Sequence, residues 1–228
     1  MRVSVVVFPG SNCDHDIIHT YKNLLGAEIS AVWHKDHDLK KPDLVVLPGG
    51  FSYGDYLRTG ALAKLSPMMK EVKKFSEQGG KVIGICNGFQ ILCEAGMLPG
   101  VLLQNIGTQF LSQFINIKVE NNTTAFSKNY KKGDVITCPI AHGDGNYYAD
   151  SETISRLEGE GRIVFRYVGK DGKTDAACRT INPNGSINAI AGICSENGNV
   201  VGLMPHPERA AEKSVGFIGQ SSGLAVFS

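Results

Sequence analysis

Apolar residues in the first half of the chain fall in short runs, each followed by a stretch with a different period. Val3–Phe8 is a largely β-branched run, the pattern of a strand covered on both faces. Asp14–Leu25 is helix-like and stops at Gly26, while Ile29–Trp33 and Leu44–Leu47 are strand-like again. A Gly-rich loop follows, then a helix near Met68–Gln78 closed by Gly79 and Gly80, then a strand over Lys81–Ile85. This alternation predicts an α/β fold, a mostly parallel open sheet with helices on both faces. From about Phe114 the texture changes to short β-prone pieces: Ile115–Val119, Ile163–Val168, Ile187–Ile193 and Val200–Met204. Gly, Asn and Asp turns separate them, including Asn184-Gly185 and Asn197-Gly198, which predicts hairpins as antiparallel extensions of the sheet. There is no internal repeat, low-complexity segment or linker, so residues 1–228 are expected to form a single domain.

Charge narrows the function classes. Lys and Arg total 23 against 22 Asp and Glu, a formal charge of +1, far from the basic excess that a nucleic-acid partner requires. Val3–Phe8 ends at Pro9-Gly10, too short for a signal-peptide core or a membrane span, so a soluble cytoplasmic chain without a membrane partner is expected. The six cysteines lie far apart with no C-x-x-C pair, which argues against a disulfide framework and a zinc ribbon. Glycine is in excess, 27 of 228 residues, without collagen period or Gly/Ser tract, so the glycines serve folded turns.

Ligands of open parallel sheets bind outside the carboxyl ends of the strands. Three strand ends carry chemistry: residues 9–13, Pro48-Gly49-Gly50, and Cys86-Asn87-Gly88. Gly84-Ile85-Cys86-Asn87-Gly88 lies between a strand and a helical stretch, the arrangement of a nucleophile elbow. Glycines two residues to either side allow close backbone approach. A helix N-terminus favours thiolate over thiol at Cys86. The plain alternative is a small buried residue at a strand end. Cys93, two turns further on, is expected in the core.

A cysteine nucleophile needs a proton acceptor. In Met204-Pro205-His206-Pro207-Glu208 the second proline keeps His206 extended, and alternation puts His206 and Glu208 on one face. A carboxylate there fixes the imidazole tautomer and leaves the other nitrogen for a thiol. A rigid turn with a surface His is the competing reading. Gly50 and Asn87 are placed to offer two N–H groups to an oxyanion; an ordinary strand-to-loop turn is the alternative at Gly49-Gly50.

Other clusters carry less. Cys13, Asp14, His15, Asp16 and His19 resemble a metal set, but a helix start explains them better, with Ser11 or Asn12 as the cap. No metal is expected. His34 and His37 read as a solvated loop. The aromatic loop Phe51–Arg58, with Tyr56 and Arg58, reads either as a partner surface or as a loop folded onto its own domain. Ser11 to Asp14, with Asn12 among them, lie at a strand end and are further candidates for the active-site rim or a partner.

The blocks GICNGFQ at 84–90, LPGGF at 47–51 and MPHPER at 204–209 resemble the class I, triad-type glutamine amidotransferases, a flavodoxin-like family. PGSNCD at 9–14, GGFSYGDYLRTG at 49–60, PIAHGDGNY at 139–147 and NPNGS at 182–186 resemble, more narrowly, the glutaminase subunits of phosphoribosylformylglycinamidine synthases. The resemblance spans nearly the whole chain. It implies Cys86 as nucleophile, His206 as general base and then acid, Glu208 as its orienter, and Gly50 and Asn87 as oxyanion donors. It further implies that Gln90 and the backbone around His142 and Gly143 hold L-glutamine. Ammonia released there passes to an ATP-dependent synthetase subunit, often joined by a small third subunit. No Walker-type motif occurs in this chain, so no cofactor is expected on it, and ATP with Mg would be used by the partner. A stand-alone γ-glutamyl cysteine hydrolase and an inactive scaffold on the same fold are the alternatives.

Overall fold

The computed structural model describes residues 1–216 and 223–228. The element order is β1 (Arg2–Val7), α1 (Asp14–His19), β2 (Glu28–Trp33), β3 (Leu44–Leu47), α2 (Pro67–Glu77), β4 (Lys81–Ile85) and α3 (Asn87–Glu94). It continues with β5 (Val101–Leu103), β6 (Leu111–Val119), β7 (Val135–His142), β8 (Asn146–Tyr148), α4 (Ser151–Gly159), β9 (Ile163–Val168), β10 (Ile190–Cys194) and β11 (Val200–Leu203). Nine strands form one sheet in the order β2-β1-β3-β4-β11-β10-β9-β6-β7. The first five run parallel and the last four are added antiparallel. The predicted α/β class, with its parallel sheet and antiparallel extensions, is the observed one.

The all-apolar strands sit where they are covered on both sides: β3, β10 and β11 are buried at every residue. Helix α1 continues as a π turn over Thr20–Leu24 and ends before Gly26 at φ 65°; α2 begins with Pro67 in its first turn and is followed by Gly79 at φ 86°. Right-handed crossovers fix the layers. The β1-to-β2 step and the β3-to-β4 step move in opposite directions along the sheet, so α1 and α2 cover opposite faces.

Three differences from the sequence reading are local. Ile187–Ala189 is a 3₁₀ turn, with Asn188 at φ 51°, and the strand starts only at Ile190. Asn197-Gly198 is the β10–β11 hairpin turn as expected, but Asn184-Gly185 joins no hairpin, because buried Asn184 donates to the Tyr167 hydroxyl at 3.0 Å instead. Helix α4 and strands β5, β7 and β8 were not among the expected elements. The cap of α4 was readable, since Asp150 accepts from the Thr153 N–H at 2.8 Å.

Candidate active site

The parallel strands follow the order 2-1-3-4-5 in chain sequence, and the direction of winding reverses between β1 and β3. At that point the loops leaving two adjacent strands part and open a crevice. The loops after β1, β3, β4 and β11 meet there, which brings residues 9–13, 48–60, 86–88 and 204–208 together although they are distant in sequence.

Cys86 occupies the elbow between β4 and α3 at φ 51°, ψ −107°, a conformation that costs a non-glycine residue about 1–3 kcal/mol. Its N–H bonds to the Leu203 carbonyl at 2.8 Å, and its own carbonyl accepts from Phe89 and Gln90 at 3.0 and 3.1 Å. The neighbouring glycines are obligatory. A Cβ on Gly84 would lie 2.6 Å from the Gly88 backbone, and one on Gly88 only 1.9 Å from the Leu47 carbonyl oxygen. The Cys86 thiol faces the Ala141 carbonyl at 3.7 Å.

Next to β4 in the sheet, β11 delivers His206, whose N–H is anchored to the Pro139 carbonyl of β7 at 2.8 Å. Pro207–Ala210 then forms a 3₁₀ turn. The turn brings Glu208 back so that its Oε1 lies 2.5 Å from His206 Nδ1, and both side chains are almost wholly buried. Nε2, with Nδ1 engaged by the carboxylate, has no hydrogen-bond partner among the described residues. Burial opposes charge on this ring, but the Glu208 carboxylate and then the Cys86 and Cys13 sulfurs outweigh it, and the imidazole is held well above its ordinary value. The arrangement can therefore keep a proton on His206 beside a sulfur nucleophile.

The loop after β3 lies against the loop after β1 through a Ser11–Gly50 bridge. Asn12 and Cys13 donate to the Gly49 carbonyl at 3.4 and 3.2 Å, and Phe51 to the Gly10 carbonyl at 2.9 Å. The Gly50 N–H takes no part in this ladder. Gly50 has φ 146°, and a Cβ there would fall 2.7 Å from the Gly10 oxygen, so only glycine can present its amide in this way. Asn87 is the first residue of α3, where an amide has no acceptor within the helix.

A cavity of about 70 Å³ is lined by Gly50, Cys86, Gln90, His142 and Gly143, which brings five of the predicted positions around one space. Gln90 is fixed by Asn87 Nδ2, which donates to its Oε1 at 2.8 Å, and by its own Nε2, which donates to the Asp144 carbonyl at 2.7 Å. Burial, and then the charge of His206, push the His142 pKa down to about 3, so this imidazole is neutral. Three positions that line or brace this cavity were not singled out by the sequence reading. Asp55 and Asp144 also line the cavity; burial first, and then Asp144, push the Asp55 carboxyl up to about 6. Asn105 Oδ1 accepts from Gly145 N–H at 2.9 Å and pairs with His142 Nδ1 at 3.1 Å, while its Nδ2 donates to the His142 carbonyl at 2.8 Å. Asp55 and Asp144 sat inside the quoted motifs; Asn105 had no local signal. A larger cavity, about 660 Å³, lies away from this chemistry near Arg156 and Arg162.

Other positions found different settings. Arg58 grips Glu94 through Nε–Oε1 and Nη2–Oε2 at 2.5 and 2.9 Å, and Tyr53 donates its N–H to Pro9. These contacts tie the aromatic loop to its own domain at Tyr53 and Arg58, while Tyr56 and Leu57 remain 74% and 88% exposed. Asn12 is exposed on the rim. The expected cap at Ser11 or Asn12 is not formed: Cys13 is the N-cap residue, and Ser11 Oγ accepts from Phe8 N–H instead. His34 is not solvated. It is buried at the end of β2, with Nδ1 in reach of Ser66 Oγ and Tyr53 OH at 3.0 and 2.9 Å, because strand alternation turns it inward. His19 pairs with Glu212 and Asn23. Cys93 is buried as expected, and burial pushes its thiol up.

The chain matches the CobB/CobQ-like glutamine amidotransferase domain over residues 1–218. The phosphoribosylformylglycinamidine synthase subunit PurQ of Chlorobaculum tepidum is 55% identical over 227 residues, 100% of this chain and 94% of that protein. The protein of the same name from Koribacter versatilis is 50% identical, over 100% of this chain and 96% of that one. In the solved structure of PurLQS from Thermotoga maritima, one chain superposes with TM-score 0.84 at 44% identity, covering 99% of this chain and 95% of that chain. A glutamine amidotransferase from Thermotoga maritima, with TM-score 0.57 at 17% identity over 91% of this chain and 76% of that chain, shares the fold.

Proposed function

The chain belongs to the CobB/CobQ-like glutamine amidotransferase family, and from that premise we propose that it is the glutaminase subunit of a phosphoribosylformylglycinamidine synthase. Cys86 gives its thiol proton to His206 as Sγ attacks the side-chain carbonyl carbon of L-glutamine, and the carbonyl electron pair moves onto oxygen between the Gly50 and Asn87 N–H groups. The tetrahedral intermediate collapses, the C–N bond breaks, and His206 gives its proton to the departing nitrogen, so ammonia leaves and a γ-glutamyl thioester remains. Neutral His206 then takes a proton from water, whose oxygen attacks the thioester; glutamate departs and the Cys86 sulfur is restored. Glu208 keeps the imidazole in one tautomer throughout. Gln90, His142 and Gly143 shape the pocket, and the carboxylates of Asp55 and Asp144 receive the α-ammonium of the substrate.

Ammonia is consumed by an ATP-dependent synthetase subunit that converts formylglycinamide ribonucleotide to formylglycinamidine ribonucleotide, with a small third subunit in the complex. ATP and Mg act on that partner, and the assembly works in the cytoplasm. The PurLQS assembly of Thermotoga maritima supports this reading, and the observation that carries it is the convergence of Cys86, His206 and Glu208 at the switch point. The test is amination by the reconstituted complex containing Cys86→Ala. Glutamine-dependent turnover should vanish while ammonia-dependent turnover persists; glutamine-dependent turnover that survives the substitution overturns the proposal.

A further inference from the structure

Cys13 is a buried thiol beside the general base that the reaction above does not use. Its sulfur, a nitrogen of His206 and an oxygen of Glu208 all lie within 4.8 Å of one another. Gly49 shows how tightly they are set, since a methyl group there would sit 2.8 Å from His206 Cε1 and 3.0 Å from Cys13 Sγ. The sulfur is itself held. Arg209 Nη2 donates to Cys13 Sγ at 2.9 Å, and Arg209 Nε to Asp16 Oδ2 at 3.1 Å. Arg209 belongs to the same 3₁₀ turn as Glu208, and its N–H returns to the His206 carbonyl at 3.2 Å. The ring is thus paired with Glu208, whose chain neighbour Arg209 holds Cys13, and the Cys13 sulfur lies within 4.8 Å of a ring nitrogen.

We propose that Cys13 is a positioning residue for His206, holding the imidazole from the Gly49 side so that Nε2 faces Cys86 while Glu208 holds Nδ1. The inference rests on the reading of His206 as the general base and acid. One hydrogen bond at Nδ1 leaves the ring a pivot, and a second contact on another edge removes it. The side chain at position 13 can brace the ring because it fills the space beside Gly49 and is itself held by Arg209. Cys13 does not line the cavity that holds Cys86 and Gln90, which separates it from substrate.

The experiment compares Cys13→Ala, Cys13→Ser and Arg209→Met in the complex, with Cys86→Ala and His206→Ala alongside. Cys13→Ala should lower kcat roughly 10- to 100-fold, the order of loss that small misplacement of a reacting group produces, with KM for glutamine changed less than about twofold. Cys13→Ser, which keeps an atom for Arg209 to bond, should restore most of the rate. The limb of the pH profile that reports His206 should move to lower pH in Cys13→Ala. The groups facing that ring are Glu208 on its own turn, Cys86 at the elbow, Cys13 with Arg209, and His142 and Cys138 on β7. The Cys13→Ala and Arg209→Met losses should be strongly non-additive. Wild-type kcat and pH profile in Cys13→Ala overturn the proposal, as does equal loss in the alanine and serine variants. If Cys86→Ala or His206→Ala keeps glutaminase activity, the catalytic reading fails instead.

Discussion

Gly88 offers a direct test of how the elbow is built. It is the second residue of α3, pressed onto the end of β3, and an added Cβ would stand 1.9 Å from the Leu47 carbonyl oxygen and 2.7 Å from the Leu47 carbonyl carbon. An ordinary carbon–oxygen contact needs roughly 3.3 Å, so Gly88→Ala must push α3 away from β3 by about 1.4 Å. Backbone atoms on both sides make the contact, so no side-chain rotation can relieve it. Overpacking of this kind destabilises by about 1–3 kcal/mol. Because the same displacement carries Cys86 and the Asn87 amide away from Gly50 and His206, kcat should fall about 100-fold, as expected for a reacting group misplaced by around 1 Å. Gly159→Ala is the control, since nothing lies within 4 Å of its Cβ position and helix propensity favours alanine by up to about 1 kcal/mol. Urea unfolding followed by far-UV circular dichroism reads stability, and glutamate release by the reconstituted complex reads activity. A Gly88→Ala enzyme with wild-type unfolding free energy and full kcat would refute the close-approach argument.

Glu208→Gln keeps the shape of the orienter and removes its charge, and kcat should drop about 100- to 10,000-fold in steady-state assays. A raised imidazole contributes stability that is fully present below its unfolded value of about 6.5 and lost as pH rises through the higher folded value. The variant's stability deficit should therefore be largest near pH 6 and shrink in alkaline melts. With burial and Asp144 pushing the Asp55 carboxyl up to about 6, wild-type KM for glutamine should climb as pH falls through that value, whereas Asp55→Asn should show a higher and flatter KM. Its raised pKa also means that ionised Asp55 costs stability, so Asp55→Asn should unfold later than wild type above pH 6, with the difference gone near pH 4. Arg58→Ala leaves the buried Glu94 carboxylate with Lys64 alone and should cost about 1–3 kcal/mol in chemical denaturation; an unchanged midpoint contradicts the pairing.

The elbow, the His206-Pro207-Glu208 turn and the parallel core were legible because each is encoded locally. Strand period, glycine spacing and the restriction imposed by proline all act within a few residues. The meaning of Cys13 was not legible. It stands 193 positions before His206, and as a helix-start cysteine it suggested a cap, a metal cluster or a place on the rim. Once β1 and β3 part at the switch point, the loop after β1 is laid across Gly49 and puts the sulfur against the imidazole. Arg58 shows the same limit, since nothing local in the sequence points to Glu94 as its partner. His34 reads as solvated among its charged neighbours until Tyr53 and Ser66 close over it. The sequence alone determined the strand and helix alternation, the turn that holds Cys86 and the pairing of His206 with Glu208, through short-range backbone preference. The tertiary structure decided which distant groups face one another, because electrostatic and packing contacts depend on separation in space, and loops joined to different strands acquire that separation only when the sheet closes.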